Sequence, residues 1–100
     1  MALHEVAKVG EIREGAAKVV TVDGNEVAVF NVGGQYHAIS NACAHKGGPL
    51  GEGVLDGNVV TCPLHGWKFD VTTGVSAVVK TVKVPNYKVV VEGDKIMVEA

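Results

Sequence analysis

Short runs of apolar residues, separated by turns that contain glycine, make up most of this chain. Many of these residues are valines, whose β-branched side chains favour strands. Asp23-Gly24 lies between two such runs and is a strong hairpin signal, and Glu92-Gly93-Asp94 separates the last two runs. No segment keeps a period of 3.6 residues, so we expect almost no helix. The predicted extended segments are 6–9, 17–22, 26–32, 35–39, 59–61, 67–70, 77–84, 87–91 and 96–98.

So many short strands at close spacing predict an all-β fold, either an antiparallel β-sandwich or a partly closed barrel. A length of 100 residues predicts a single domain, 1–100. Hydrophobic residues make up 47% of the chain and aromatic residues only 5%, so the predicted core is mainly aliphatic. Segment 40–53 differs from the rest, because it has little periodicity and contains four glycines and one proline.

The charge balance excludes some classes of partner. Nine basic and eleven acidic residues give a net charge of −2 and form no basic run. Nucleic acid and anionic membranes call for clustered positive charge, so neither is expected as a partner. We found no apolar run of membrane-spanning length and no signal-like stretch near Met1. The expected location is therefore the cytoplasm.

Two short loops carry the candidate chemistry. The chain has only two cysteines, Cys43 and Cys62, and His45 and His65 follow them two and three residues later. Soft and borderline ligands in two matched pairs indicate a metal site, and zinc and an iron–sulfur cluster both use these ligands. A zinc knuckle usually carries two cysteines, whereas each loop here supplies one sulfur and one nitrogen. A two-iron cluster can use that arrangement, and the neighbouring histidines favour ligation over a disulfide.

The two loops resemble the signature boxes of Rieske [2Fe–2S] proteins. The matching residues are Cys43-x-His45-x-Gly47-x-x-Leu50 and Cys62-Pro63-x-His65-Gly66-Trp67-x-Phe69-Asp70. The resemblance implies one [2Fe–2S] cluster per chain, with Cys43 and Cys62 on one iron and His45 and His65 on the other. It also implies a cluster-binding subdomain at about 40–74, inserted between basal strands at about 1–39 and 75–100.

Residues beside the implied ligands are predicted to surround the cluster. Glycines there let the backbone approach the cluster and offer amide donors to its sulfurs, and the larger side chains shield it from water. These predicted neighbours are Lys46, Gly47, Gly48, Leu64, Gly66 and Trp67.

Two departures from the high-potential branch of the family bear on the reduction potential. Those proteins carry one further cysteine in each box, joined as a disulfide, and this chain has no cysteine beyond Cys43 and Cys62. They also have a serine after the His-Gly pair of the second box, where this chain has Trp67. Trp67 cannot donate a hydroxyl hydrogen bond to the cluster, so the resemblance implies a low potential.

The whole chain resembles the ferredoxin component of bacterial ring-hydroxylating oxygenase systems. That resemblance implies a one-electron carrier between a flavoprotein reductase and a terminal oxygenase, which is not itself an enzyme. We expect a monomer. One alternative is a small subunit of a larger reductase, such as assimilatory nitrite reductase. A second alternative is a redox-silent binding module that holds zinc with the same four residues.

Overall fold

The apolar runs form β-strands in a computed structural model that describes residues 3–42, 49–64 and 66–99. Within those ranges, the helical structure is a single 3₁₀ turn at Leu50–Glu52. The strands in the same ranges are β1 Leu3–Lys8, β2 Ala17–Val22, β3 Asn25–Val32, β4 Gln35–Ser40, β5 Val54–Asp56, β6 Val59–Thr61, β7 Lys68–Asp70, β8 Asn86–Glu92 and β9 Lys95–Glu99.

The strands form two antiparallel sheets. The larger is six-stranded in the order β1-β9-β8-β4-β3-β2, and the smaller is three-stranded in the order β5-β6-β7. The larger sheet curls until its two edges approach each other. His4 Nε2 on β1 lies 3.5 Å from Asp23 Oδ2 after β2, and Lys18 Nζ on β2 lies 2.8 Å from Glu11 Oε2 after β1. The prediction of an all-β, antiparallel, partly closed barrel is therefore confirmed.

The Asp23-Gly24 turn joins β2 to β3 as the sequence predicts. Asp23 has φ 50° and Gly24 has φ 82°, so both central residues have positive φ. Such a turn matches the right-handed twist of the strands that it joins, and glycine adopts this conformation without steric cost. Pairing of Val22 with Asn25 then sets the register of the whole hairpin.

Strand β3 is buried on both faces. Val27 and Val29 belong to the core of the six-stranded sheet. Ala28 and Phe30 point to the opposite face and pack in a second core beneath the three-stranded sheet. Alternate side chains of a strand point to opposite faces, so β3 connects the two cores directly. This two-sided burial positions the smaller sheet against the larger one.

The prediction of an extended segment at Ala77–Val84 is wrong. Residues 77–82 form a loop, flanked by the isolated bridges Phe69–Ser76 and Val75–Lys83. The physical reason is a local competitor for backbone hydrogen bonds, because the Ser76 hydroxyl accepts from the amides of Val78 and Val79. Amides that donate to a side chain in this way are not available to a strand ladder.

Candidate metal centre

The structure describes part of the predicted site. Cys62, Leu64, Gly66 and Trp67 lie in the described ranges. The other predicted ligands and neighbours, Cys43, His45, His65, Lys46, Gly47 and Gly48, lie outside the described residues. The four-ligand set therefore stays a prediction. Within 3–42, 49–64 and 66–99, we find no group of three or more His, Cys, Asp or Glu side chains that could hold a metal ion.

The second ligand loop is the connection of a β-hairpin. Strands β6 and β7 pair antiparallel and end in register at Thr61 and Lys68. The pairing continues one step into the loop, where the Cys62 amide donates to the Trp67 carbonyl at 2.7 Å. The Gly66 amide donates to the Cys62 carbonyl at 3.1 Å, with Gly66 at φ 73°. These two backbone contacts close the loop at its base, between Cys62 and Trp67.

Cys62 lies at the buried base of this loop. Its residue is only 2% exposed, and it belongs to the same core as Leu50, Val60 and Phe69. Leu64, two residues further on, is 60% exposed. The loop therefore places its sulfur next to the apolar core and turns its tip to solvent. A thiol in this position, free of any disulfide to the described residues, is suited to bind a soft metal from the inner side.

Trp67 and Phe69 extend that core towards the surface. Their rings have centroids 6.5 Å apart and an interplanar angle of 26°. The two residues are separated by one position on an extended segment, so their side chains lie on the same face. Trp67 is half-buried and packs against the core that contains Cys62. Of the predicted neighbours, Gly66 and Trp67 line the same groove beside the hairpin.

The stem of the first ligand loop is held by a side chain that the sequence reading missed. Asn41 is 5% exposed, and its Oδ1 accepts from the Gly51 amide at 2.7 Å. Its Nδ2 donates to Glu26 Oε1 at 3.2 Å, and its carbonyl accepts from the Leu50 amide at 2.8 Å. Asn41 therefore connects the start and the end of the segment that contains 43–48. The available signal was a polar residue two positions after a predicted strand and two positions before Cys43.

A close backbone approach joins the two stems. A Cβ atom on Gly53 would collide with the Thr61 carbonyl, which immediately precedes Cys62. Only glycine lets the chain leaving the 3₁₀ turn lie this close to β6. Leu50, 0% exposed, fills the core below this contact. The stems of the two predicted ligand loops are thus fixed relative to each other by backbone contact and by a shared core.

A domain-family comparison decides the identity of this arrangement. The family model described as the Rieske [2Fe-2S] domain matches residues 2–88. The chain belongs to the Rieske [2Fe-2S] domain family. Membership supplies what the described residues alone do not, namely a single [2Fe-2S] cluster as the metal centre.

Several Rieske relatives are similar over nearly the full chain. The ferredoxin component of the naphthalene 1,2-dioxygenase system of Pseudomonas aeruginosa is 38% identical over 90 residues, 89% of this chain and 86% of that protein. The solved ferredoxin of carbazole 1,9a-dioxygenase from Nocardioides aromaticivorans IC177 is 37% identical, with a TM-score of 0.91. The match covers 98% of this chain and 97% of that ferredoxin. A third match is a chain in the solved complex of reduced oxygenase and oxidized ferredoxin of carbazole 1,9a-dioxygenase. It is 34% identical, with a TM-score of 0.90, and the match covers 96% of this chain and 91% of that chain.

The described residues fit a Rieske cluster. A buried sulfur donor lies at the base of a rigid hairpin, and the two predicted ligand segments have stems fixed against each other. Apolar side chains surround the sulfur on its inner side, as second-shell tuning of an iron–sulfur centre requires. No helix among the described residues is long and apolar enough to cross a membrane.

Proposed function

We propose that this chain is a one-electron carrier that receives electrons from a flavoprotein reductase and passes them to a terminal oxygenase. One observation carries the proposal, namely the buried Cys62 at the base of a hairpin whose tip is exposed. A carrier needs a redox centre that is held rigidly on the inside and can be approached from the outside. Relatives of this chain that are named as ferredoxin components of dioxygenase systems support the same role.

The chain contributes rigidity and exclusion of water to this role. We assign the cluster to Cys43, His45, Cys62 and His65, one per chain. The cluster, when bound, takes up and releases a single electron. The backbone bonds of Cys62 keep its sulfur in one place, and Leu50 and Phe69 keep the inner side free of water. A site that does not rearrange suits rapid electron exchange with two partners in turn.

We further propose a potential at the lower end of the Rieske range. The second loop supports a low potential, because Trp67 occupies the position after Gly66 and its ring stacks on Phe69. That position therefore supplies no hydroxyl hydrogen bond. A redox titration followed by electron paramagnetic resonance tests both proposals. We expect a signal that appears only on reduction and follows a reversible one-electron curve. A redox-silent, zinc-containing protein would refute the carrier role.

Relatives such as the ferredoxin components of the naphthalene 1,2-dioxygenase and biphenyl 2,3-dioxygenase systems favour the carrier over a subunit of a larger reductase. We also infer a cytoplasmic location. The only two cysteines of the chain are assigned as ligands, and a reducing compartment keeps such thiols available for a metal.

A further inference from the structure

Two valines beside the second ligand loop are exposed to solvent. Val78 is 70% exposed and Val79 is 42% exposed. Together with Gly66, Trp67, Lys68 and Ser76 they line an open groove of about 260 Å³. Leu64, 60% exposed, lies two residues before Gly66 in the same ligand loop. Neighbouring exposed apolar side chains of this kind commonly mark a site of interaction with another protein.

The loop that carries the two valines, residues 76–82, has a fixed conformation. Ser76 is 1% exposed, and its Oγ accepts from the Val78 amide at 3.2 Å and from the Val79 amide at 3.0 Å. The Val82 amide donates to the Val79 carbonyl at 2.9 Å, and the Ser76 amide donates to the Val82 carbonyl at 2.8 Å. A buried hydroxyl thus holds the valines outward. Side chains presented on a rigid loop lose little freedom on binding.

A backbone hydrogen bond joins this loop to the β6–β7 hairpin, which we call the ligand hairpin because it carries the second ligand loop. The Ala77 amide donates to the Lys68 carbonyl at 2.9 Å. The valines therefore keep a fixed position relative to β7 and to the loop that begins at Cys62. A protein seated on the valines would also lie against the ligand hairpin. The contact would bring it close to the metal centre.

The charged side chain that lines the groove, Lys68, is basic, and Lys80 follows Val79 in the chain. Between Val71 and Val91 the chain contains three lysines and no acidic residue, although its net charge is −2. Lys68 and Lys80 are exposed, and no acidic side chain lines the groove. A partner that fits this surface has an apolar centre bordered by carboxylates. A second copy of this chain does not fit, because a two-fold contact would place the lysines opposite each other.

We propose that Trp67, Val78 and Val79, bordered by Lys68 and Lys80, form the docking surface for the terminal oxygenase, whose facing surface is apolar at its centre and acidic at its edge. The inference rests on the proposed function, since it names the partner that docks beside the same metal centre. It is supported by the solved carbazole 1,9a-dioxygenase complex, in which a ferredoxin is bound to its oxygenase.

The test uses the cluster-loaded chain and, as probe, the terminal oxygenase of carbazole 1,9a-dioxygenase from Nocardioides aromaticivorans IC177, whose ferredoxin is 37% identical. Binding and the rate of oxygenase reduction are measured for the double variant Val78→Ser, Val79→Ser. Val54→Ser is the matched control, because Val54 is 72% exposed on β5 and lies outside the groove. We expect roughly tenfold weaker binding for the double variant and no change for the control.

A charge variant tests the second half of the proposal. Lys80→Glu should weaken binding at low salt and flatten its dependence on ionic strength, whereas Lys88→Glu on β8 should have a smaller effect. Equal binding of the unchanged chain and the double variant would overturn the proposal. The proposal would also be overturned if the double variant lost only its reduction by the reductase and kept its binding to the oxygenase. A dimer of this chain formed through the valines, or no binding of the unchanged chain to the oxygenase, would overturn it as well.

Failure of the docking surface and failure of the carrier role give different results. If every variant is reduced by dithionite and reoxidised by ferricyanide like the unchanged chain, the carrier chemistry is intact and only the docking surface is tested. If the unchanged chain shows no reversible one-electron reduction with these small reagents, the proposed function itself is refuted.

Discussion

The stems of the two ligand loops are held by different kinds of contact. The second loop, 62–67, is closed by backbone hydrogen bonds between Cys62, Gly66 and Trp67, all within six residues of sequence. The first stem depends on the buried side chain of Asn41, whose partners Glu26 and Gly51 lie 15 and 10 residues away. The stem of the second loop is therefore fixed by local contacts, and the stem of the first loop by tertiary contacts. We expect the first loop to be the more sensitive to distant substitutions.

Removal of the predicted ligand Cys62, at the base of the second loop, should have the largest effect. Cys62→Ser should abolish the absorption and paramagnetic signals of the two-iron cluster completely, because a hydroxyl is a poor replacement for a thiolate on iron. His37→Ala, on β4, is the control and should retain both signals. Bleaching by His37→Ala, with a normal spectrum for Cys62→Ser, would show that the ligand set is wrong.

The junction between the two stems should be the next most sensitive position. Gly53→Ala places a methyl group against the Thr61 carbonyl, so the 3₁₀ turn must move away from β6. Overpacking of this kind costs about 1–3 kcal/mol. Urea denaturation of the cluster-loaded protein measures the loss. Gly57→Ala is the control, since a Cβ there meets open space and only its φ of 62° is unfavourable. A Gly53→Ala protein as stable as the Gly57→Ala protein would contradict the close approach.

Asn41 tests the comparison between the stems directly. Asn41→Ala leaves the Gly51 amide without its acceptor in a buried setting, which should cost about 1–3 kcal/mol. Loss of the cluster on incubation with a chelator should also become faster, because the first loop is less firmly held. Asn58→Ala removes a more exposed hydrogen bond to Asp70 and should change stability by less than about 0.5 kcal/mol. Similar losses of stability for Asn41→Ala and Asn58→Ala would contradict the distinction between the two stems.

The smallest effect is expected far from both loops. The pKa of Glu11 is lowered from its usual 4.5, mainly because the Lys18 ammonium donates a hydrogen bond to its carboxylate. The Lys8 amide, which also donates to Glu11, lowers the pKa further. A lowered pKa stabilises the fold above pH 4.5, and that stabilisation is lost as the pH falls through the pKa of the folded protein. Lys18→Met should therefore lower the Tm slightly at pH 7, and this difference should shrink as the pH falls below 4.5. Its cluster spectrum should be unchanged, and any change would connect this edge to the loops.

Much of the fold could be predicted from the sequence because its signals are local. The Asp23-Gly24 hairpin follows from two adjacent residues that tolerate positive φ, and β2 is observed at its predicted boundaries. Strand β1 begins at Leu3 instead of Val6, because pairing of Leu3 with Glu99 extends it. The loop at 77–82 was predicted as extended, since its valines favour strands and only the Ser76 hydroxyl diverts their amides.

The sequence by itself predicted a metal site, because cysteine and histidine are recognised as candidate ligands by residue type and by short spacing. Tertiary structure decided the rest of the site. It placed Cys62 in the core, joined Gly53 to Thr61, and gave Asn41 its two distant partners. These contacts join residues 8 to 15 positions apart in the chain, and they exist only in the packed fold. Ligand identity is a property of single residues, whereas the rigidity that makes them a site is a property of the packed fold.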